Sequence, residues 1–161
     1  MLIESAKRTV KIPVIASVNC MSSDEWVSFS GNIEKGGADE IELNVFFLPA
    51  QKELSALKIE NLYYQLVIKI REVTHIPLAV KMGSQFTNLP SIVNNLYVRG
   101  ARGVVLFNRF YEPDIDIDKM QITGSEVLST PADIRHRCAG LALFLIKLRR
   151  SICGINRCSR W

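Results

Sequence analysis

The chain has 161 residues, 48% of them hydrophobic, and a formal net charge of +4, enough for one domain with a sizeable core. The charge is uneven: residues 1–134 hold 13 of the 20 Lys and Arg and all 16 acids (net −3), whereas residues 135–161 hold seven basic residues and no acid. The basic balance therefore belongs to the end of the chain and gives no reason to expect a nucleic-acid surface on the rest.

In chain order, Ile12-Pro13 opens an apolar strand, Val14 to Val18, closed by Asn19. Ser23-Asp24-Glu25-Trp26 is a helix start that leads into Val27, Phe29 and Ile33, and Lys35-Gly36-Gly37 is a stop. Gly37-Ala38 introduces a second strand ending at Glu42-Leu43-Asn44. Glu60 to Val73 spaces Leu62, Leu66, Ile70 and Val73 by three and four, as one buried helical face requires. Ile76-Pro77 opens a third strand ending at Ala79-Val80-Lys81. Asn88 and Pro90 then start a helix from Leu89 to Val98, which ends near Gly100. Gly100-Ala101 opens a fourth strand ending at Leu106-Phe107-Asn108.

The order has a period. Ile12-Pro13 returns as Ile76-Pro77 after 64 positions and Gly37-Ala38 as Gly100-Ala101 after 63. The repeating unit is a βαβα pair present twice, so the fold class is α/β with parallel strands joined by right-handed crossovers. A full (β/α)8 TIM barrel takes about 250 residues. Residues 1–134 therefore read as half of one, with about four parallel βα units. In such barrels the last inward residue of each strand sits at the mouth where ligands bind. That singles out Asn44, Lys81 and Asn108, with Asn19 as a further candidate. Without more context, a strand-end Lys is often solvated or ion-paired, and an Asn often only forms a turn.

Other features carry less. Glu112, Asp114, Asp116 and Asp118 alternate and could face one cation, but the Gly and closing Glu of a calcium loop are out of place. They read as a solvated loop starting at Pro113, so no metal is expected. His75 reads as a loop residue. Cys138, Cys153 and Cys158 fit neither a zinc site nor a disulfide framework, and no signal peptide is seen, which points to the cytoplasm. The apolar run from Cys138 to Ile146 is too short for a bilayer, which takes about 20 residues, so no membrane partner is expected.

The strings IPVIASVNCMSSDEW, GADEIELNVFFLPA, IPLAVKMGSQFTNLP and GARGVVLFNRFYEPDIDID, in that order between about Lys11 and Ile134, resemble the middle of dihydroorotate dehydrogenase-like proteins, flavin enzymes of the class 1 family. The resemblance implies FMN as cofactor, hydride transfer from a small dihydropyrimidine-like substrate, and a place in pyrimidine biosynthesis. It implies that Lys81 contacts the flavin and that Asn44 and Asn108 contact both flavin and substrate. A fixed cation such as Lys81 would raise the electron affinity of a flavin, and amide side chains offer a donor and an acceptor to a pyrimidine-like ring.

Two departures qualify this. Where the family carries its Cys or Ser base, three positions after Asn44, this chain has Phe47, with no proton acceptor. Cys20 and Ser22, after a neighbouring strand, are the nearest substitutes. The Gly-rich loops that would hold the flavin phosphate are expected beyond Ile134 and are not found there. Back-translation of Gly154 to Trp161, shifted by one base, reads ASTGVHDG, a string like the family's next segment. Residues 135–161 are thus expected to be an out-of-frame tail, with a helix from Leu141 to Arg150 of no functional weight. The chain is then a fragment, expected to be inactive by itself and to self-associate through its exposed sheet face. Two alternatives stay open: a Schiff-base aldolase-type barrel using Lys81, and a non-catalytic fragment.

Overall fold

A computed structural model describes residues 2–19, 23–45, 47, 52–108, 114–124, 131–135 and 138. Its elements are α1 (Leu2–Thr9), β1 (Ile15–Val18), α2 (Ser23–Lys35), β2 (Glu40–Asn44), α3 (Ala56–Val73), β3 (Leu78–Met82), α4 (Leu89–Val98) and β4 (Gly103–Leu106). After them come two short strands, β5 (Asp114–Asp116) and β6 (Gln121–Thr123), and a single 3₁₀ turn. Strands β1 to β4 form one parallel sheet in chain order. This is the α/β arrangement of a partial (β/α)8 barrel. Among the described residues no strand pairs with the outer edge of β1 or of β4.

Period-two alternation divides the sheet into two faces. Ile41, Leu43, Val45, Leu78, Val80, Met82, Val104 and Leu106 are buried, in one cluster with Trp26, Tyr63, Leu66, Val67, Ile70, Ile92 and Leu96 of the helices. Glu40, Glu42 and Asn44 alternate with the buried residues of β2 and stay partly exposed. They therefore lie on the opposite, inner face. Register carries that face to Ala79 and Lys81 of β3 and to Gly103 and Val105 of β4.

The helices start where local chemistry directs. The Ser55 hydroxyl accepts from the Lys58 amide at the start of α3, and the Asn88 side chain accepts from the Ser91 amide at the start of α4, which has Pro90 in its first turn. α4 spans the expected residues. The buried face of α3 is different from the expected one: it consists of Tyr63, Tyr64, Leu66, Val67 and Ile70, while Leu62 and Val73 are 45% and 39% exposed. A helix pressed on a sheet and on two neighbours buries a broad stripe, and the tyrosines complete it. The Arg99 guanidinium lies 4.4 Å from the Tyr64 ring centre and joins α4 to α3. Phe29 of α2 is likewise exposed.

The repeat reappears in the backbone. α2 and α4 both end in a Schellman turn: Gly37 donates to Glu34 and Ala38 to Ile33, as Gly100 donates to Tyr97 and Ala101 to Leu96. Both glycines have positive φ, +87° and +111°.

Two elements lay outside the sequence expectations. The acidic stretch is a hairpin and not a plain loop: β5 pairs with β6 antiparallel, with Asp114 facing Thr123 and Asp116 facing Gln121. Its turn is held by Asp116, which accepts from the Lys119 amide and pairs with the Lys119 ammonium. The other element is α1. It is tied down by Asp39, whose carboxylate accepts from the Lys7 ammonium at 2.8 and 2.7 Å and from the Val14 amide at 2.6 Å. These bonds, that from Lys7 foremost, hold the Asp39 carboxyl below its ordinary value. A pKa lowered by folding stabilises the fold above the range where the unfolded carboxyl titrates, and the contribution disappears as pH falls through the folded value. Acidification below about pH 4 is therefore expected to free α1, seen as faster hydrogen exchange at the Val14 amide. Asp39→Asn should show fast exchange already at neutral pH.

No helix among the described residues is long and apolar enough to cross a membrane. Of the tail, only Arg135 and an exposed, free Cys138 are described. The expected helix from Leu141 to Arg150 lies outside the described residues.

Candidate functional site at the strand mouth

Three of the four residues singled out from the sequence meet at the C-terminal ends of the strands. Asn44 closes β2 and pairs in register with Lys81 of β3. Asn108 follows β4 by two residues and is held there by its amide, which donates to the Met82 carbonyl at 2.8 Å. The Asn108 side-chain amide donates to Asn44 Oδ1 at 2.6 Å. Since β2 and β4 flank β3, this bond spans the mouth on either side of the strand that carries Lys81. Asn44 and Asn108 are 64 positions apart, the period of the chain, so they are equivalent residues of the two βαβα units. The bond uses one acceptor and one donor; among the described residues the Asn44 amide protons, one Asn108 proton and Asn108 Oδ1 remain for a ligand. Lys81, half-buried, has no carboxylate partner within ion-pair distance among the described residues. Asn19 is exposed beyond β1 and shares no hydrogen bond with the pair.

On the helix side of the strand ends three rings pack together. Phe47 sets its ring edge-on to Tyr63, and Tyr63 to Phe86, with both centroid separations 5.4 Å. The Tyr63 hydroxyl reaches the Val45 carbonyl at 3.5 Å, and burial pushes its pKa up to about 12. It therefore stays protonated at neutral pH. Phe47, 40% exposed, presents a ring where an acid-base group was sought. Cys20 and Ser22 lie outside the described residues.

Below the mouth is a polar row that the sequence reading missed. Glu42 lies one pleat below Asn44 on the inner face, and its carboxylate accepts from the Ser17 hydroxyl of β1 at 2.7 Å. Glu40 lies one pleat deeper, its pKa raised by desolvation and then by the nearby Glu42 charge. The signal was available: Glu40, Glu42 and Asn44 recur every second residue among apolar neighbours, so all three share a face. His75 is at the opposite end of the sheet, where its backbone amide donates to the Glu34 carboxylate at 3.1 and 3.2 Å. Asp114, Asp116 and Asp118 form no cluster fit for a metal among the described residues; Glu112 lies outside them.

No family model matches the chain, and no curated protein matches it in sequence. Among solved structures it is similar to a dihydrodipicolinate synthase from Agrobacterium tumefaciens str. C58, at 22% identity over 63% of this chain and 34% of that one, with a TM-score of 0.47. A second is a phosphonopyruvate hydrolase, at 13% identity over 67% of this chain and 41% of that one, with a TM-score of 0.49. The chain thus spans between a third and a half of the length of the structures it matches.

These findings correct the sequence reading. The matched structures are a synthase and a hydrolase, not dihydroorotate dehydrogenases, and the assignment to that family, with its FMN-dependent hydride transfer and its place in pyrimidine biosynthesis, is withdrawn. The physical reason lies in the strings that suggested it. An apolar strand closed by one polar residue, with a Gly-Ala entry and a helix between, is what any parallel barrel needs at its mouth. The roles of Lys81, Asn44 and Asn108 toward a flavin rested on the resemblance alone.

Proposed function

We propose that the mouth of this half-barrel is a carbonyl-binding site in which Lys81 forms a Schiff base, as part of an aldolase-type barrel enzyme. The observation that carries the proposal is the arrangement around Lys81: a half-buried amine at a strand end, with no carboxylate paired to it among the described residues, beside a bonded pair of amides that can orient a carbonyl or carboxylate oxygen. An amine attacks a carbonyl carbon, water leaves, and the resulting iminium withdraws electrons from the adjacent C–C bond. A side chain at the end of a barrel strand stands where the fold places its chemistry.

Borohydride reduction in the presence of pyruvate, the smallest simple 2-keto acid, tests the reading. It converts an iminium to a stable secondary amine, located by peptide mass spectrometry. The expected result is one dominant adduct at Lys81, lost completely in Lys81→Arg while exposed lysines such as Lys119 stay unmodified. Equal labelling across the exposed lysines, with none favoured, would overturn it.

A further inference from the structure

We infer that Glu42, held by Ser17, is the carboxylate that moves protons for imine formation at Lys81. This rests on the reading of Lys81 as the reacting amine.

The geometry is that of a sheet diagonal. Glu42 is in register with Ala79, and Asn44 with Lys81, so Glu42 and Lys81 are diagonal neighbours on one face. Such diagonals are about 7–8 Å apart at the backbone, within reach of two long side chains. The residue directly opposite Glu42 is Ala79, so only a methyl stands beside the diagonal from Glu42 to Lys81. On the other side the Ser17 hydroxyl donates to Glu42 Oε1 at 2.7 Å, which fixes one carboxylate oxygen and leaves the second without a partner among the described residues. Among the described residues, register and alternation place Ser17 and Ile15 of β1, Ala79 and Lys81 of β3, and Glu40 and Asn44 of its own strand around Glu42 on this face. Lys81 is the one cation among them.

Imine formation needs such a group. The ammonium of Lys81 must lose a proton before its nitrogen pair can attack the carbonyl carbon; after the attack the nitrogen gives up a second proton as the former carbonyl oxygen takes one, which leaves a carbinolamine. The hydroxyl then leaves as water, for which it takes a second proton, and the nitrogen pair closes the C=N bond. Overall, an ammonium and a carbonyl give an iminium and one water, with charge conserved. Glu42 takes the first proton from nitrogen and returns it to the departing hydroxyl, so it ends the step as it began. Neither Asn44 nor Asn108 can do this, because an amide does not exchange charge near neutral pH. The protonated Tyr63 is tied to the Val45 carbonyl.

The test is the rate of adduct formation at Lys81 of the 161-residue chain with pyruvate, quenched by borohydride at set times and followed against pH. Glu42→Gln keeps the size and the Ser17 contact but carries no exchangeable charge. Its expected rate at neutral pH is about 100-fold lower, the lower end of what a positioned acid-base group contributes. The shape of the pH–rate profile should change as well. Ser17→Ala should show an intermediate loss with the shape of the wild-type profile retained, since it removes only the positioning. Matching circular dichroism spectra exclude a folding defect; if Glu42→Gln is misfolded, the Ser17→Ala rate decides. Wild-type rate and profile in Glu42→Gln, or in Ser17→Ala where that variant decides, would overturn the inference while leaving Lys81 in its role. Absence of an adduct in the wild-type protein would instead remove the reading of Lys81, and the inference with it.

Discussion

Ile70→Ala is expected to destabilise the chain by about 2–5 kcal/mol, whereas Leu62→Ala on the same helix should change stability by less than about 0.5 kcal/mol. The two substitutions remove similar side chains from one 18-residue helix, α3, and differ in what the side chain touches. Ile70 has no exposed surface and lies in the cluster that joins α3 to the sheet through Val67, Leu78 and Val80. Its truncation loses the transfer energy of the removed carbons and leaves a cavity that the neighbouring strands cannot fill by shifting, since each is fixed by register to the next. Leu62 is 45% exposed and is already partly in water. Urea unfolding followed by far-ultraviolet circular dichroism would measure both. Equal midpoints for the two variants would place the packed face of α3 on the Leu62 side.

That contrast shows how far pattern reading reaches. The interval of three and four among Leu62, Leu66, Ile70 and Val73 correctly indicates a helix, and it includes two residues of the real buried face. It misplaces the stripe because it counts only aliphatic residues. Tyr63 and Tyr64 are buried through their rings while their hydroxyls find partners in the Val45 carbonyl and Glu60, which hydropathy alone does not anticipate. The strands were legible to within two or three residues, because a parallel sheet covered by helices needs apolar runs and the Gly-Ala and Ile-Pro entries punctuate them. The hairpin of β5 and β6 was not, since its ordering comes from Asp116 and Lys119 across a turn and not from burial.

The site was legible in part for the same reason. Strand ends are visible as polar residues after apolar runs, so Asn44, Lys81 and Asn108 stood out. The bond between the two amides depends on strands that are neighbours but one in the sheet, which no local pattern shows. Glu42 and Ser17 were hidden inside strands, where a polar residue reads as an interruption until the face it points to is known. The chemistry attached to the three mouth residues was the least secure inference, because one barrel architecture serves many reactions. The structure leaves a nucleophile candidate and its polar surroundings, which the trapping experiment addresses directly.

The second large effect concerns the repeat. Gly37 and Gly100 end α2 and α4 in the same turn, 63 positions apart, and both hold a backbone angle that L residues rarely adopt. Alanine at either position takes on that strain, about 1–2 kcal/mol. The surroundings differ. A methyl at Gly37 meets only the Lys7 side chain, at 4.0 Å, in ordinary contact. A methyl at Gly100 falls 2.9 Å from Arg71 Cγ and 3.3 Å from its Cδ, closer than carbon atoms approach. Arg71 is not free to withdraw without loss, because its guanidinium donates to the Ile76 carbonyl at 2.7 Å and so fixes the loop that enters β3. Gly100→Ala must therefore break that bond or displace the turn, and a lost hydrogen bond from a charged donor adds about 1.5–3 kcal/mol. The expected order of stability is wild type, then Gly37→Ala, then Gly100→Ala, with the last lower than the first by about 2.5–5 kcal/mol. The added variant Arg71→Ala tests the cause: in its background the penalty for Gly100→Ala should shrink toward that for Gly37→Ala, as a double-mutant cycle would read. If the two penalties stay apart without Arg71, the difference lies in the turn itself, and the two units of the repeat are less alike in energy than in shape.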